Sequence, residues 1–126
     1  MADNLTDTAE NLVLTWLFTA SAATRPATPW TVALVTVAGS DSALGTEVVG
    51  GSYTRQAVTF GAASAGAIAN SADIVFAGMP AATVVGVAVF ENGGTRIAYG
   101  ALSVNKTTNS GDTFTITTGN LSISLA

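Results

Sequence analysis

Apolar and polar positions along this chain follow two different periods. Leu5, Ala9, Leu12, Val13, Trp16 and Leu17 recur at the spacing of one helical face. Thr6, Asp7, Glu10 and Asn11 form the polar remainder, and Leu14 and Phe18 widen the apolar surface beyond a single stripe. Asp3, Asn4 or Thr6 is placed to cap the N-terminus, and acids in the first turn suit the helix dipole. The pattern predicts an amphipathic helix over about 4–19, ended by the small, polar, Pro-containing stretch 21–29. Its simplest packing is across an open end or face of the chain's own fold. Packing into a neighbouring subunit is the sharper alternative.

After Pro29 the period falls to two. Trp30-Thr31-Val32-Ala33-Leu34-Val35-Thr36-Val37 is β-branched and alternating, which predicts a strand. Residues 39–51 read as a long loop or loose hairpin, 53–60 as a second strand, and 61–70 as a low-complexity Ala/Gly/Ser loop. Ile74-Val75-Phe76 predicts a short strand stopped by Gly78 and Pro80. Residues 84–90 are nearly all apolar, which predicts a central strand buried on both faces. Asn92-Gly93-Gly94 makes a tight turn into a partner strand over 96–102, and a second turn follows at 109–112. Residues 114–117 and 121–125 alternate apolar with hydroxyl side chains, with a bend at Gly119-Asn120 between them. No helical crossover separates the strands. The expected fold is mainly β: an Ig-like or jelly-roll-like antiparallel β-sandwich of about seven strands preceded by one N-terminal helix, forming a single domain over 1–126.

Composition narrows the chemistry. The 126 residues contain no His and no Cys. That excludes His general bases, Ser-His-Asp and Cys-His nucleophiles, His or Cys metal ligands and disulfides. Paired carboxylates remain. Asp41 and Glu47 share a loop, and Glu91 and Asp112 are expected to approach each other near one end of the sandwich. Each acid has a plain reading as a turn residue that binds backbone or solvates a loop. No catalytic, cofactor-binding or metal-binding residue is therefore assigned, and no cofactor is expected. Gly50-Gly51 and Gly93-Gly94 fit turns and match no phosphate-binding loop. Trp16 and Trp30 are read as core or interface anchors in preference to a sugar-binding platform.

Charge adds two constraints. Arg25, Arg55, Arg96 and Lys106 are scattered singly, and the net charge is −4. Nucleic-acid binding by counterion release needs clustered bases, so no nucleic-acid partner is expected. The strongly apolar stretches are too short to span a bilayer, and Met1-Ala2-Asp3-Asn4 lacks a basic leader, so no membrane association and synthesis in a cytoplasm are expected. Charged residues make up 10%, against about 25% in an ordinary soluble domain. Such a chain either solvates itself with Thr, Ser and Asn or has much of its surface covered by other protein. The second reading is preferred.

The order of segments also carries a resemblance. It runs from Asp3-Asn4-Leu5-Thr6-Asp7 to Trp16-Leu17-Phe18, then Trp30-Thr31-Val32-Ala33-Leu34. The Gly-containing stretch Glu47-Val48-Val49-Gly50-Gly51-Ser52-Tyr53-Thr54-Arg55-Gln56-Ala57-Val58-Thr59-Phe60 is its most specific part. Asn70-Ser71-Ala72-Asp73-Ile74-Val75-Phe76, Val87-Ala88-Val89-Phe90, Tyr99-Gly100-Ala101-Leu102 and Asn109-Ser110-Gly111-Asp112-Thr113-Phe114 complete it. This resembles a family of small virion proteins of tailed bacteriophages, labelled tail-fibre or minor tail proteins, with related chains similar to head decoration (cement) proteins. Two departures stand out: a shorter hairpin tip at Asn92-Gly93-Gly94-Thr95, and Gly78-Met79-Pro80 where the family often has a second Trp-containing segment.

The resemblance implies a non-enzymatic virion structural protein without a cofactor. The first reading is capsid decoration on the outer surface of the head. The protein would bind the major capsid protein of the same phage as a small homo-oligomer, such as a trimer, and stabilise its lattice. The alternative is a tail or tail-fibre structural or host-binding protein. Ala2, Asp3, Asn4 and Leu5 are the expected partner-contact residues, joined by the loops 39–51 and 61–70.

Overall fold

Ten antiparallel strands and one helix make up residues 4–125, the part of the chain that the computed structural model describes. The strands are β1 (Asn4–Leu5), β2 (Trp30–Val37), β3 (Thr46–Glu47), β4 (Gln56–Val58), β5 (Ala67–Ala69), β6 (Ile74–Met79), β7 (Ala82–Phe90), β8 (Arg96–Thr108), β9 (Asp112–Ile116) and β10 (Ser122–Ser124). The helix, α1, is Asp7–Phe18. The main sheet runs β1-β8-β7-β2-β3, and β4 pairs with the N-terminal half of β2. Two ribbons, β6 with β9 and β5 with β10, lie over its inner face. The fold is mainly β and sandwich-like with a preceding helix, as the pattern predicts.

The differences from expectation are local. The helix starts at Asp7, not near residue 4, because the Asn4 and Leu5 backbone pairs with Tyr99 and Ala98 of β8. The expected loop at 61–70 contains β5, whose backbone pairs with β10 from Ser122↔Ala69 to Ser124↔Ala67. The strand expected over 53–60 is regular only at Gln56–Val58. β1, β3 and β5 are two or three residues long, too short to leave a period, and this is why more strands form than the seven counted from sequence.

β2 and β7 form the centre, and both are buried on two faces. Val32, Ala33, Leu34 and Val35 are consecutive buried residues of β2, and Val87 to Phe90 are the same in β7. The inner side chains Val32, Leu34, Val87 and Val89 meet Phe76 and Met79 of β6 and Phe114 and Ile116 of β9. Phe76 stacks on Tyr53 with ring centroids 5.9 Å apart and takes the edge of Phe114 at 6.1 Å. Aromatic pairs of this geometry add to plain area burial. The Gly50-Gly51 stretch wraps this core closely. A Cβ on Gly51 would lie 2.5 Å from the Gly78 carbonyl oxygen, and both glycines have positive φ. Gly78-Met79-Pro80 thus serves a tight backbone crossing that places Met79 fully inside the core.

The outer face of the sheet needs its own cover. Ala33, Ala88 and Phe90 form a small second cluster there. The Arg55 guanidinium lies 3.8 Å from the centre of the Phe90 ring. Glu47 holds that guanidinium with a two-pronged contact, Nε to Oε1 at 3.0 Å and Nη2 to Oε2 at 2.9 Å. The Tyr53 hydroxyl donates to Glu47 Oε1 at 2.9 Å while accepting from the Leu34 N–H at 2.9 Å. Further along, buried Arg96 donates Nη2 to the Asp41 carbonyl at 3.2 Å and to the Ser40 carbonyl, and its guanidinium lies 4.7 Å from the Tyr99 ring centre. The loop 38–45 is thereby fixed against the sheet, and β3 beyond it pairs back with Val35 and Val37 of β2, so the stretch 39–51, expected as a long loop or a loose hairpin, begins as a loose hairpin.

Two outcomes follow from this packing. Phe76→Ala removes the side chain that joins both layers and should cost about 3–5 kcal/mol, measured by urea unfolding. A loss below about 1 kcal/mol would mean that the core can collapse around the deletion.

The second concerns acid. Partial burial pushes the Glu47 carboxyl up, but the hydrogen bonds from Arg55 and Tyr53 outweigh it and hold it below its ordinary value of 4.5. A depressed carboxyl stabilises the fold above about pH 4.5 and loses that contribution as pH falls through its folded value. Because the pair is partly exposed, Glu47→Gln should cost about 1 kcal/mol or less at pH 7 and less than that at pH 3. Equal losses at both pH values would refute this role.

Candidate functional site: an exposed apolar helix

Thr6 anchors the start of α1. Its backbone N–H donates to the Ile97 carbonyl at 2.9 Å, and its hydroxyl donates to the Arg96 carbonyl at 3.0 Å. The same hydroxyl oxygen accepts from the Ala9 N–H at 3.4 Å, capping the helix. Ala9 is buried. The first turn is therefore tied to β8 by backbone and side chain together.

The second half of the helix has no such tie. Leu12-Val13-Leu14-Thr15-Trp16-Leu17-Phe18 carries no charge, and its apolar side chains point all around the axis. A helix apolar on every side is ordinarily buried. Here Leu14 is 54% exposed, Trp16 68%, Leu17 55% and Phe18 77%. The expected packing of this stripe across the chain's own sandwich is thus incorrect beyond the first turns. The reason is geometric. α1 leaves the sheet from the β1–β8 edge, and the strap 20–29 that follows is hydrogen-bonded to the hairpin tip through Asn92 N–H to the Ala27 carbonyl, 2.9 Å, and runs along one flank of the helix only.

The strap and helix enclose a groove of about 370 Å³ lined by Leu12, Val13, Trp16, Ala23, Arg25 and Pro26. Leu14 and Phe18 lie on the other side of the helix, about 200–240° around the axis from Leu12 at about 100° per residue. α1 thus presents a groove on one flank and apolar knobs on the other. Of the other exposed large apolar residues, Val37, Leu44, Val49, Val75 and Val104 lie away from α1 on separate segments, as on any protein surface, and Leu125 borders a smaller apolar hollow of about 250 Å³ with Leu5, Ile68 and Ile123. A larger cleft of about 560 Å³ lies between β8 and β9, and its lining is mixed, with Ser103, Lys106 and Asn120 beside Leu102, Val104 and Phe114.

The remaining sequence candidates do not assemble into a site. Asn4 and Leu5 form the edge strand β1, and Leu5 is half-buried against the core. Ala2 and Asp3 lie outside the described residues. Glu91 accepts from the Thr95 N–H at 2.9 Å in the hairpin turn, a bond that holds its carboxyl below the ordinary range. Asp112 accepts from the Asn109 N–H at 2.8 Å in the next turn. The two turns lie at opposite ends of the β7–β8 pair, which runs from Ala82↔Thr108 to Phe90↔Arg96 and is on the order of 25 Å long, so the expectation that Glu91 and Asp112 approach each other is incorrect. Asp41 accepts from the Tyr99 hydroxyl, which raises the phenol's pKa, and Glu47 belongs to the Arg55 contact. Among the described residues no three acids gather as metal ligands would. Trp30 begins β2, half-buried against the core, while Trp16 stands out on α1, so the two form no shared aromatic platform.

Leu14 and Phe18 gain importance that their positions in the helical period did not show. The available signal was the run of seven uncharged residues after Asn11. Among the described residues no helix is long and apolar enough to cross a membrane, so α1 is not a membrane span.

Comparison with known proteins gives a family. No curated protein matches the chain. The family described as podophage GP4 fiber I protein gp80 matches residues 4–124, which includes α1, both layers of the sandwich and β10. A match over nearly the whole chain, on a mainly β fold with a helix at its N-terminal side, places this protein in the podophage GP4 fiber I protein gp80 family, a family of phage virion structural proteins.

Proposed function

We propose that this chain is a non-enzymatic structural subunit of a phage fibre, joined to its neighbours through α1. One observation carries the reading: four large apolar side chains stand exposed on half a helix that has no charge. At about 200 Å² per large side chain they leave roughly 500 Å² of apolar surface in water. Covering it would contribute roughly 12 kcal/mol at about 25 cal/mol per Å². Association itself costs about 4–15 kcal/mol. A single copy therefore docks marginally, and the contact becomes firm where many copies are presented together, as on a virion.

A second location uses the same surface. As a decoration protein on the outer head, the chain would set α1 against the major capsid protein. The net charge of −4 favours that reading over any position facing packaged DNA.

Phe18→Glu tests the role of α1. The exposed position predicts a change in folding stability within about 1 kcal/mol. Particles raised with this variant should carry at least about tenfold less of the protein, by quantitative mass spectrometry of purified virions, since each 1.4 kcal/mol is a factor of ten. Full incorporation of the variant would overturn the docking role of α1. A cryo-EM map of the wild-type particle separates the locations: density on the tail supports the fibre, and density repeated over the outer head lattice supports decoration.

A further inference from the structure

We propose that the cleft between β8 and β9 receives an extended segment of a different protein, which adds to β9 as a third strand of the β6–β9 ribbon and brings a carboxylate to Lys106. This surface is separate from α1, so the inference does not depend on the docking role of the helix.

Topology leaves the cleft open. β8 and β9 are joined by the short turn 109–111, yet they do not pair with each other. β8 pairs with β7 in the main sheet, and β9 pairs with β6 in the layer above it. On the outer edge of β8, β1 covers Ala98 and Tyr99. Layers of a sandwich stand about 10 Å apart, and neighbouring strands about 4.8 Å apart, so one strand spans the gap between the two edges. The lining follows the chain from Phe114 to Thr117, about 10 Å at about 3.3 Å per residue, which accommodates about four extended residues.

The two edges differ, and the difference selects the pairing side. Exposed edges are usually blunted by Lys, Pro or a bulge, because their free N–H and C=O groups pair with any extended chain. β8 is blunted in this way. Leu102 to Asn105 form a bulge without partners on β7, and Lys106 follows it. β9 is not blunted. Among the described residues its second edge has no partner strand, and Asp112–Ile116 contains no Pro and no Lys. β9 is therefore the edge that recognises a backbone, and β8 is the wall that sorts side chains.

The side chains define the segment. Phe114 and Ile116 are buried at the floor, while Thr115 and Thr117 alternate with them and are exposed. An added strand keeps that alternation, apolar inward and polar outward. Lys106 is the one charged residue of the lining, and among the described residues the only ion pair is Arg55 with Glu47. The Asp112 carboxylate is turned onto the Asn109 N–H. Lys106 lies near the end of β8, beside the turn from which β9 starts. A strand antiparallel to β9 finishes at that turn, so its acid stands at its C-terminal end. The alternating apolar runs of this chain are already built into its own sandwich, which leaves the segment to another protein.

The probe is a fluorescein-labelled peptide of about eight residues, in which Val alternates with Thr and Glu is C-terminal. It should bind the full chain saturably by fluorescence anisotropy. Residue-resolved hydrogen exchange should slow at the β9 amides that β6 leaves free. Backbone N-methylation of one alternate set of peptide residues should abolish binding, and of the other set should spare it, because one edge of the added strand pairs with β9. Lys106→Glu, or Lys in place of the peptide's Glu, should each weaken binding about threefold or more, and the two changes together should recover most of the loss.

No saturable binding up to about 1 mM peptide overturns the slot. Binding that survives both N-methylation patterns overturns strand addition. Equal affinity for the Glu-ended and Lys-ended peptides overturns the contact with Lys106. If the free β9 amides are already protected without peptide, the cleft is closed by this chain itself. If that protection rises with protein concentration, the occupant is a second copy. Either result overturns the foreign partner.

Discussion

Burial of β2 and β7 on both faces is the constraint from which the rest of the fold follows. A central strand pair whose two sides are both apolar has to be covered twice. The inner cover is aromatic: Phe76 and Phe114 arrive on a separate ribbon and pack with Tyr53. The outer cover is a loop system, and a loop has little apolar area of its own. It is held by two of the four basic residues. Arg55 sits over the Phe90 ring under the grip of Glu47, and Arg96 binds the carbonyls of the 38–45 loop.

Scarcity of charge therefore has a structural meaning here. Two of the four cations are committed to the outer cover. Arg25 lines the groove beside α1, and Lys106 lines the cleft between β8 and β9. The remaining surface is solvated largely by Thr, Ser and Asn, visible in the hydroxyl ladder Thr83 to Thr107 at 3.2 Å and the Thr59 to Ser71 contact at 2.9 Å. Such a surface tolerates water without forming strong ionic contacts of its own. Against it, the uncharged half of α1 is an exception, and its exposure is the feature that connects the fold to assembly.

The attachment of α1 explains how both can coexist. One residue, Thr6, ties the first turn to β8 through a backbone and a hydroxyl hydrogen bond while capping the helix. Beyond that turn the helix is not needed by the core. Its exposed side chains make little contact with the sandwich, so they stay available to a partner without weakening the centre. The family match covers both parts, the structural sandwich and the helix it presents.

The sequence alone determined the elements whose residues repeat a period. The all-apolar run at 84–90 became the doubly buried β7, Asn92-Gly93-Gly94 became the hairpin tip into β8, and Thr6 became the cap of α1. The helix ended at Phe18, where the apolar period stops. Such features are local: they depend on the spacing of a few neighbours along the chain. Tertiary structure decided the rest. β1 and β5 exist because distant backbone, β8 and β10, supplies hydrogen-bond partners to segments with no period of their own. The distance between Glu91 and Asp112 was set by the length of β7, whose two ends carry the turns, while β8 reaches Thr108 through an irregularity in which β7 advances two residues and β8 five. The exposure of α1 was decided in the same way. Its apolar period predicts burial equally well in its own sandwich or in another chain, because periodicity records which side chains leave water and not which protein removes them from it.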